Sequence, residues 1–170
     1  MRYQLRNLPT AGTRTSSAQR PSALGSILRA GLLAGVLDGT DAAVFSGVIR
    51  GATVKRVFQF IASGALGPKS FAGGWATAGL GVGFHFLVAT GAAATYYALS
   101  LKIPALTKRP AICGPLFGLG VLFFMHYGVV AMSAIPKRPF GTANFINQVF
   151  AHIFCVGLPI AFMTRRARLQ

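Results

Sequence analysis

The sequence predicts an all-α polytopic membrane protein, a bundle of four transmembrane helices with one interfacial amphipathic helix. The first reason is composition: apolar residues make up 53% of the 170 positions and charged residues only 11%, with a mean hydropathy of +0.56. A water-soluble domain of this size could not hide so much apolar surface in its core. The second reason is distribution, because the apolar residues form four long windows with basic clusters between them. The windows are continuous and not alternating, which excludes a β-barrel.

Each of the four windows is close to the ~20 residues that cross ~30 Å of hydrocarbon as a helix. Trp75 at one boundary and Tyr96 and Tyr97 near another are typical of the aromatic residues that anchor spans at the membrane interface. We therefore predict a membrane domain over residues 27–166. Its spans are expected at about Leu28–Ile49, Trp75–Leu99, Ala111–Ile135 and Ala143–Met163.

The loop between the first two windows carries a further helical pattern. Its apolar residues recur at the spacing of one helix face, which predicts an amphipathic helix lying in the membrane interface. Gly64 and the Gly67-Pro68 pair disfavour its continuation. Lys55, Arg56 and Gln59 are expected on a different face from Val54, Val57, Phe58 and Ile61.

The segment 1–26 is rich in Arg, Ser, Thr and Pro and contains no acidic residue, which predicts a flexible basic tail. We favour a tail retained in the cytoplasm, and the alternative is a mitochondrial transit peptide. Counting Arg29 at the start of the first window with the tail, eleven lysines and arginines fall in the tail, the second loop and the C-terminus, against six in the first and third loops. The side richer in cations is the cytoplasm, so both termini are expected there.

The formal net charge of +15 is compatible with either nucleic acid or an anionic membrane surface as a partner. No basic stretch is interleaved with aromatic residues for base stacking, so we expect the lipid bilayer and no nucleic acid. Cys113 and Cys155 lie inside apolar windows and indicate neither a disulfide framework nor a zinc ribbon. No nucleophile and base pair or cofactor loop is recognisable, which places an enzyme behind the other function classes.

Small residues recur at four-residue spacing in three of the windows. In lipid, such stripes let helix backbones approach closely, and packing of this kind drives helix association there. A homo-oligomer built on one stripe is the alternative to packing within the chain. In the first window Asp38 and Ala42 share the face of the stripe. The predicted packing glycines are Gly31, Gly35, Gly79, Gly83, Gly114 and Gly118.

Both acidic residues lie in the first window, and the three histidines lie one each in the other three. Counted at ~1.5 Å per residue from the cytoplasmic ends, all five fall ~15 to ~22 Å deep, which predicts one polar cluster near the midplane. Ionisable groups at this depth are costly and turn inward to find partners. The last window adds a polar seam of Asn144, Gln148, His152 and Cys155, with Pro159 expected to kink it or free a carbonyl. The predicted cluster is Asp38, Asp41, His85, His126, His152 and Gln148.

Several kinds of chemistry remain open for this cluster. The groups suit hydrogen bonds between helices, a proton or ion pathway, or a transition metal with Asp38, His85, His126 and His152 as candidate ligands. Two histidines on facing spans would also suit a haem, so the cofactor stays unassigned. The leading hypothesis is a membrane protein that handles a small solute, protons or a metal ion. The alternative is a non-catalytic membrane scaffold or assembly factor.

From about Leu28 to Arg166 the chain resembles a group of small bacterial four-span membrane proteins with no assigned activity. The passages that carry the resemblance are Phe60–Gly64, His85-Phe86, Ser133–Phe140 and His152–Ile160. The resemblance implies a bacterial inner membrane in preference to a mitochondrial one. It implies no role for any residue.

Overall fold

A computed structural model describes residues 22–135 and 141–169 of the chain. The tail predicted over residues 1–26 lies mostly outside the described residues, as do Lys137 and Arg138. Every regular element in the described part is helical, so the predicted all-α class is confirmed.

Four long helices dominate the structure, and each is long and apolar enough to cross a membrane. They contain the four predicted spans, except that the third ends at Met132 because Ser133 takes an extended conformation. In chain order the helices are α1 (Ala23–Arg50), α2 (Val54–Leu66), α3 (Gly74–Lys102), α4 (Ala105–Lys108), α5 (Pro110–Met132) and α6 (Thr142–Leu169), with a short 3-10 helix over Gly67–Ala72 between α2 and α3.

Local sequence explains where the first two helices begin. The Ser22 hydroxyl accepts a hydrogen bond from the Gly25 N–H and caps α1, and the Thr53 hydroxyl caps α2 in the same way through Arg56. Gly51 ends α1 in the left-handed conformation, at φ 61°. Because α1 begins at Ala23, the last four residues of the predicted tail belong to the first membrane helix.

Glycines mark the places where helix backbones meet. A Cβ on Gly31 would lie 2.6 Å from the Cα of Thr90, so α1 and α3 are in backbone contact there. Gly118 leaves no room for a Cβ against the carbonyl oxygen of His152, which brings α5 against α6. Gly35 faces Phe86 on α3, and Gly114 faces Gly157 on α6.

The glycine stripe predicted in the second window has a different environment. A Cβ on Gly79 or Gly83 would meet no atom within 4 Å, so these residues do not pack helices together within the chain. Gly81, which lies between them, packs instead: its missing side chain makes room for the backbone carbonyl of Phe58 in α2. Because α2 docks on the Gly81 side of α3, Gly79 and Gly83 point away from the other helices.

The docking of α2 also shows the environment of Gln59, which was predicted to lie with Lys55 and Arg56 on a different face from the apolar residues. The helix forms where it was predicted, but the Gln59 side chain is only 2% exposed. Its amide donates to the Gly74 carbonyl at 2.9 Å and lies 3.4 Å from the Thr77 hydroxyl. The amide therefore joins α2 to the first turn of α3.

Tyr96 corrects a prediction from the sequence, since it does not anchor the chain at the membrane surface. Its side chain is fully buried, and its hydroxyl donates to the Leu106 carbonyl at 2.9 Å. The chain segment around α4 folds back over the end of α3 and covers this ring, together with Phe117, whose ring meets it edge-on.

The last two long helices each contain a π-helical turn, over Met125–Val129 and over His152–Gly157. The π-helical turn over His152–Gly157 ends two residues before Pro159. Proline has no N–H to donate, so the Cys155 carbonyl loses its ordinary helical partner. The extra residue in this turn takes up the irregularity predicted at Pro159. The same turn faces Gly114 and Gly118 of α5.

The apolar core occupies one half of the molecule. Its members precede Asp38 in α1 and follow His85 in α3 and His152 in α6. Since neighbouring long helices run in opposite directions, this is the half where α1 begins, and we call it the packed half. Its buried core residues are Ala30, Ala34, Ala93, Tyr96, Val156, Ile160 and Ala161.

Candidate functional site

His85 is the best-defined polar residue in the interior, and glycines of α1 place it. A Cβ on Gly39 would lie only 3.1 Å from the His85 Nε2 atom. The missing side chain at Gly39 therefore makes room for the ring. The same Nε2 lies 2.8 Å from the carbonyl oxygen of Gly35. A carbonyl oxygen can only accept, so Nε2 carries a hydrogen and donates it.

The opposite nitrogen of this ring faces a carboxylate. His85 Nδ1 lies 4.0 Å from Asp38 Oδ2, and the two side chains are 11% and 23% exposed. A protonated Nδ1 would form an ion pair with the carboxylate. If Nδ1 were unprotonated, its lone pair would face a lone pair of the Asp38 carboxylate, unless Asp38 itself carried a proton. Because Nε2 is already committed to Gly35, the arrangement favours one proton held between Asp38 and His85.

Two aromatic rings contact the imidazole of this pair. The His85 ring meets Phe58 edge-on at 6.0 Å between centroids and Phe86 at 5.5 Å. Phe58 comes from α2, so the helix that was predicted as interfacial also forms a wall of the site. A direct proton transfer requires Asp38 to approach Nδ1 more closely, or a bridging water.

Asp41 lies about one turn further along α1 and has a different partner. Its Oδ2 accepts a hydrogen bond of 2.8 Å from the side-chain amide of Asn147 in α6. Sequence reasoning missed Asn147 because it lies one residue away from the predicted seam through Asn144 and Gln148. The available signal was its polarity within an apolar span, which in lipid calls for a partner.

His152 in α6 is buried, at 8% exposure. Its Nδ1 donates to the backbone carbonyl of Gln148 at 2.9 Å, so Gln148 enters the site through its main chain. Asp38 interacts electrostatically with His152 and Asp41 as well as with His85. We name Asp38, Asp41, His85, Asn147 and His152 the polar cluster.

His126, also predicted in this cluster, lies in the π-helical turn of α5. It lines an open pocket of about 180 Å³ together with Leu122, Phe123, Tyr127 and Phe145. No other member of the predicted cluster lines this pocket. The structure thus brings together the two aspartates, His85 and His152, and His126 lines this pocket.

The candidate metal ligands do not form a metal-binding group. Among residues 22–135 and 141–169, no three His, Cys, Asp or Glu side chains lie in an arrangement that could hold a metal ion. In His85, Nε2 is bonded to the Gly35 carbonyl and Nδ1 faces Asp38 at 4.0 Å. Imidazole and carboxyl groups in this arrangement can bind and release protons.

The polar cluster has polar neighbours on one side and apolar neighbours on the other. Asn144, Asn147 and Gln148 are partly exposed and lead from the cluster toward the end of the molecule where α6 begins. In the opposite direction lies the packed half, where Tyr96, Ile160 and Ala161 are fully buried. Among the described residues, the polar neighbours of the cluster therefore lie toward the end of the molecule where α2 and α6 begin.

Comparisons of the chain with family models, with curated proteins and with solved structures found no match.

Proposed function

We propose that this chain is an integral membrane protein that binds and transfers protons at Asp38 and His85. One observation carries the proposal: His85 donates its Nε2 hydrogen to Gly35 and thereby presents Nδ1 to Asp38. This geometry leaves a single exchangeable proton between an imidazole and a carboxyl group. Imidazole nitrogens and carboxyl oxygens both bind and release protons, which suits such a pair to proton transfer.

Protons reach the pair from the α2 end, along Asn144, Asn147 and Gln148. On this proposal the packed half closes the other route. Transfer across the membrane then requires a second conformation in which α1, α3 or α6 separates in the packed half. Of the solutes considered from sequence, the proton fits the donor set best because the candidate metal ligands do not converge.

Proton flux into vesicles tests this proposal. The purified chain is reconstituted into liposomes containing a pH-sensitive dye, and a potassium gradient with valinomycin drives proton entry. We expect acidification with the unaltered chain and its loss with Asp38→Asn and with His85→Gln. The matched control is His126→Gln, which makes the same chemical change at another partly buried histidine and should preserve flux.

Folding must be monitored in the same preparations, by gel-filtration profile and thermal unfolding. Flux no faster than in empty liposomes, or undiminished flux in folded Asp38→Asn, would contradict proton transfer through the pair.

The second candidate is a non-catalytic membrane scaffold or assembly factor. It is favoured by the fact that both carboxylates contact other helices: Asp38 faces α3 and Asp41 is hydrogen-bonded to α6. On this account the contacts serve only to hold three helices in register. Asp38→Asn would then lower thermal stability while proton flux stayed at the background level for every variant.

We further propose the bacterial inner membrane as the location, with both termini in the cytoplasm. The cation distribution and the resemblance to bacterial four-span proteins support this placement, and the mitochondrial inner membrane is the alternative. Alkaline phosphatase fused near Lys137 should be active, and green fluorescent protein fused at the C-terminus should fluoresce. Active phosphatase at the C-terminus would reverse the orientation without changing the number of spans.

A further inference from the structure

Two cations and two aromatic rings form a patch where α2 and α3 begin. The Lys55 Nζ atom lies 5.8 Å from the centroid of the Trp75 ring, and the Arg56 Cζ atom lies 3.9 Å from that of Phe71. These cation–π contacts hold two adjacent positive charges side by side over neighbouring rings. We call these four residues the basic aromatic patch.

The patch lies at the level expected for lipid headgroups. Trp75 is the second residue of α3, at the end of a membrane-spanning helix, and is 73% exposed. Exposed tryptophan at such a position is typical of the membrane interface, where its ring contacts both acyl chains and headgroups. Lys55 and Arg56 are therefore held next to the layer of lipid phosphates.

No acidic side chain of the chain is available to neutralise the patch. The sequence contains only two acidic residues, and both face partners in the polar cluster inside the molecule. Lys55 and Arg56 also occupy the first turn of α2, where the positive end of the helix dipole disfavours cations. An anion must come from outside the chain.

We infer that the basic aromatic patch binds the phosphate of an anionic phospholipid, such as phosphatidylglycerol. Lys55 and Arg56 contact the phosphate from two sides, and Trp75 lies against the glycerol and upper acyl chain. A zwitterionic lipid fits poorly, because its ammonium group would face two cations with no carboxylate nearby. The inference concerns a lipid site and does not depend on proton transfer by Asp38 and His85.

The chain itself supplies a local probe of this site, because Trp75 is its single tryptophan. Brominated acyl chains quench tryptophan fluorescence on contact. The chain is reconstituted into phosphatidylcholine vesicles that contain equal mole fractions of either brominated phosphatidylglycerol or brominated phosphatidylcholine. Each cation near the surface strengthens anionic lipid binding about fivefold, so we expect a preference for phosphatidylglycerol of roughly thirtyfold around Trp75.

Three double variants locate the preference. Lys55→Ala with Arg56→Ala should make quenching by the two lipids about equal. Arg165→Ala with Arg166→Ala removes the same charge near the last residues of α6, away from the patch, and should leave the preference unchanged. Lys55→Arg with Arg56→Lys keeps both charges and should also retain it.

Equal quenching of the unaltered chain by the two lipids would overturn the inference without requiring any variant to fold. A preference that survives loss of Lys55 and Arg56 in folded protein would overturn it as well. A preference that decreases in the unaltered chain as salt is raised supports it, because partly exposed charges are screened.

Discussion

The packed half of the molecule and the half that holds the polar cluster are stabilised by different interactions. In the packed half, small residues such as Ala30, Ala34 and Ala93 bring backbones together, and Tyr96 and Ile160 fill the space between them. In the other half, α1 is joined to α3 by the hydrogen bond from His85 to the Gly35 carbonyl and by the contact of His85 with Asp38. The hydrogen bond from Asn147 to Asp41 joins α1 to α6.

On the proposed function, this difference separates the residues that stabilise the fold from those that transfer protons. Association of helices in lipid depends on close packing, which the packed half supplies. Each aspartate in a membrane helix instead costs at least ~2.5 kcal/mol on insertion scales. Substitutions in the packed half should therefore change stability most, and substitutions in the polar cluster should change proton flux most.

The largest effect on stability is expected for Gly31→Leu. Its side chain would be forced into the backbone of α3 at Thr90, because even a Cβ there would lie 2.6 Å from the Thr90 Cα. We expect a loss of about 3 kcal/mol, measured by unfolding in mild detergent or by the yield of folded protein. Gly91→Leu is the control, since a Cβ on Gly91 meets nothing within 4 Å. Equal losses for the two variants would mean that α1 and α3 do not pack at Gly31.

Tyr96→Phe should have an intermediate effect on stability and none on flux. It removes the hydroxyl that donates to the Leu106 carbonyl while leaving the ring in the core. A hydrogen bond of this kind contributes about 1 kcal/mol. Tyr97→Phe at the next position serves as control. A large loss of flux in Tyr96→Phe would show that the packed half takes part in proton transfer.

A double-mutant cycle between Asp38→Asn and His85→Gln measures the central pair. We expect the two variants together to cost less than the sum of the single changes, with a coupling energy of about 0.6 kcal/mol or somewhat more. The same cycle between Asp38 and His126 should be closer to additive. Additivity in both cycles would remove the evidence for a proton shared by Asp38 and His85.

The smallest effect is expected for Asn147→Ala. It deletes the amide that donates to Asp41 at 2.8 Å, and hydrogen bonds between membrane helices contribute about 0.6 kcal/mol on average. Asn144→Ala, one turn earlier on the same helix, is the control. A thermal unfolding temperature that falls equally in both variants would argue against a specific role for the bond to Asp41.

The sequence by itself determined the number and approximate bounds of the spans. Hydropathy, glycine at helix ends and polar capping residues are local properties, and lipid forces each long apolar window to satisfy its backbone within one helix. Apolar residues at helical spacing likewise predicted the helix at Val54–Leu66. The sequence also identified Asp38, Asp41, His85 and His152 as interior groups, because ionisable side chains at this depth must turn away from lipid.

Only the tertiary structure decided which of these groups meet. Asp38 faces His85 because Gly35 and Gly39 admit the α3 side chains against α1, and Asp41 meets Asn147 and not the predicted seam. The face of α3 that packs could not be read from its sequence, since Gly79, Gly81 and Gly83 are equally small. The choice of Gly81 depends on the docking of α2, a contact between segments that helical periodicity within one segment does not encode.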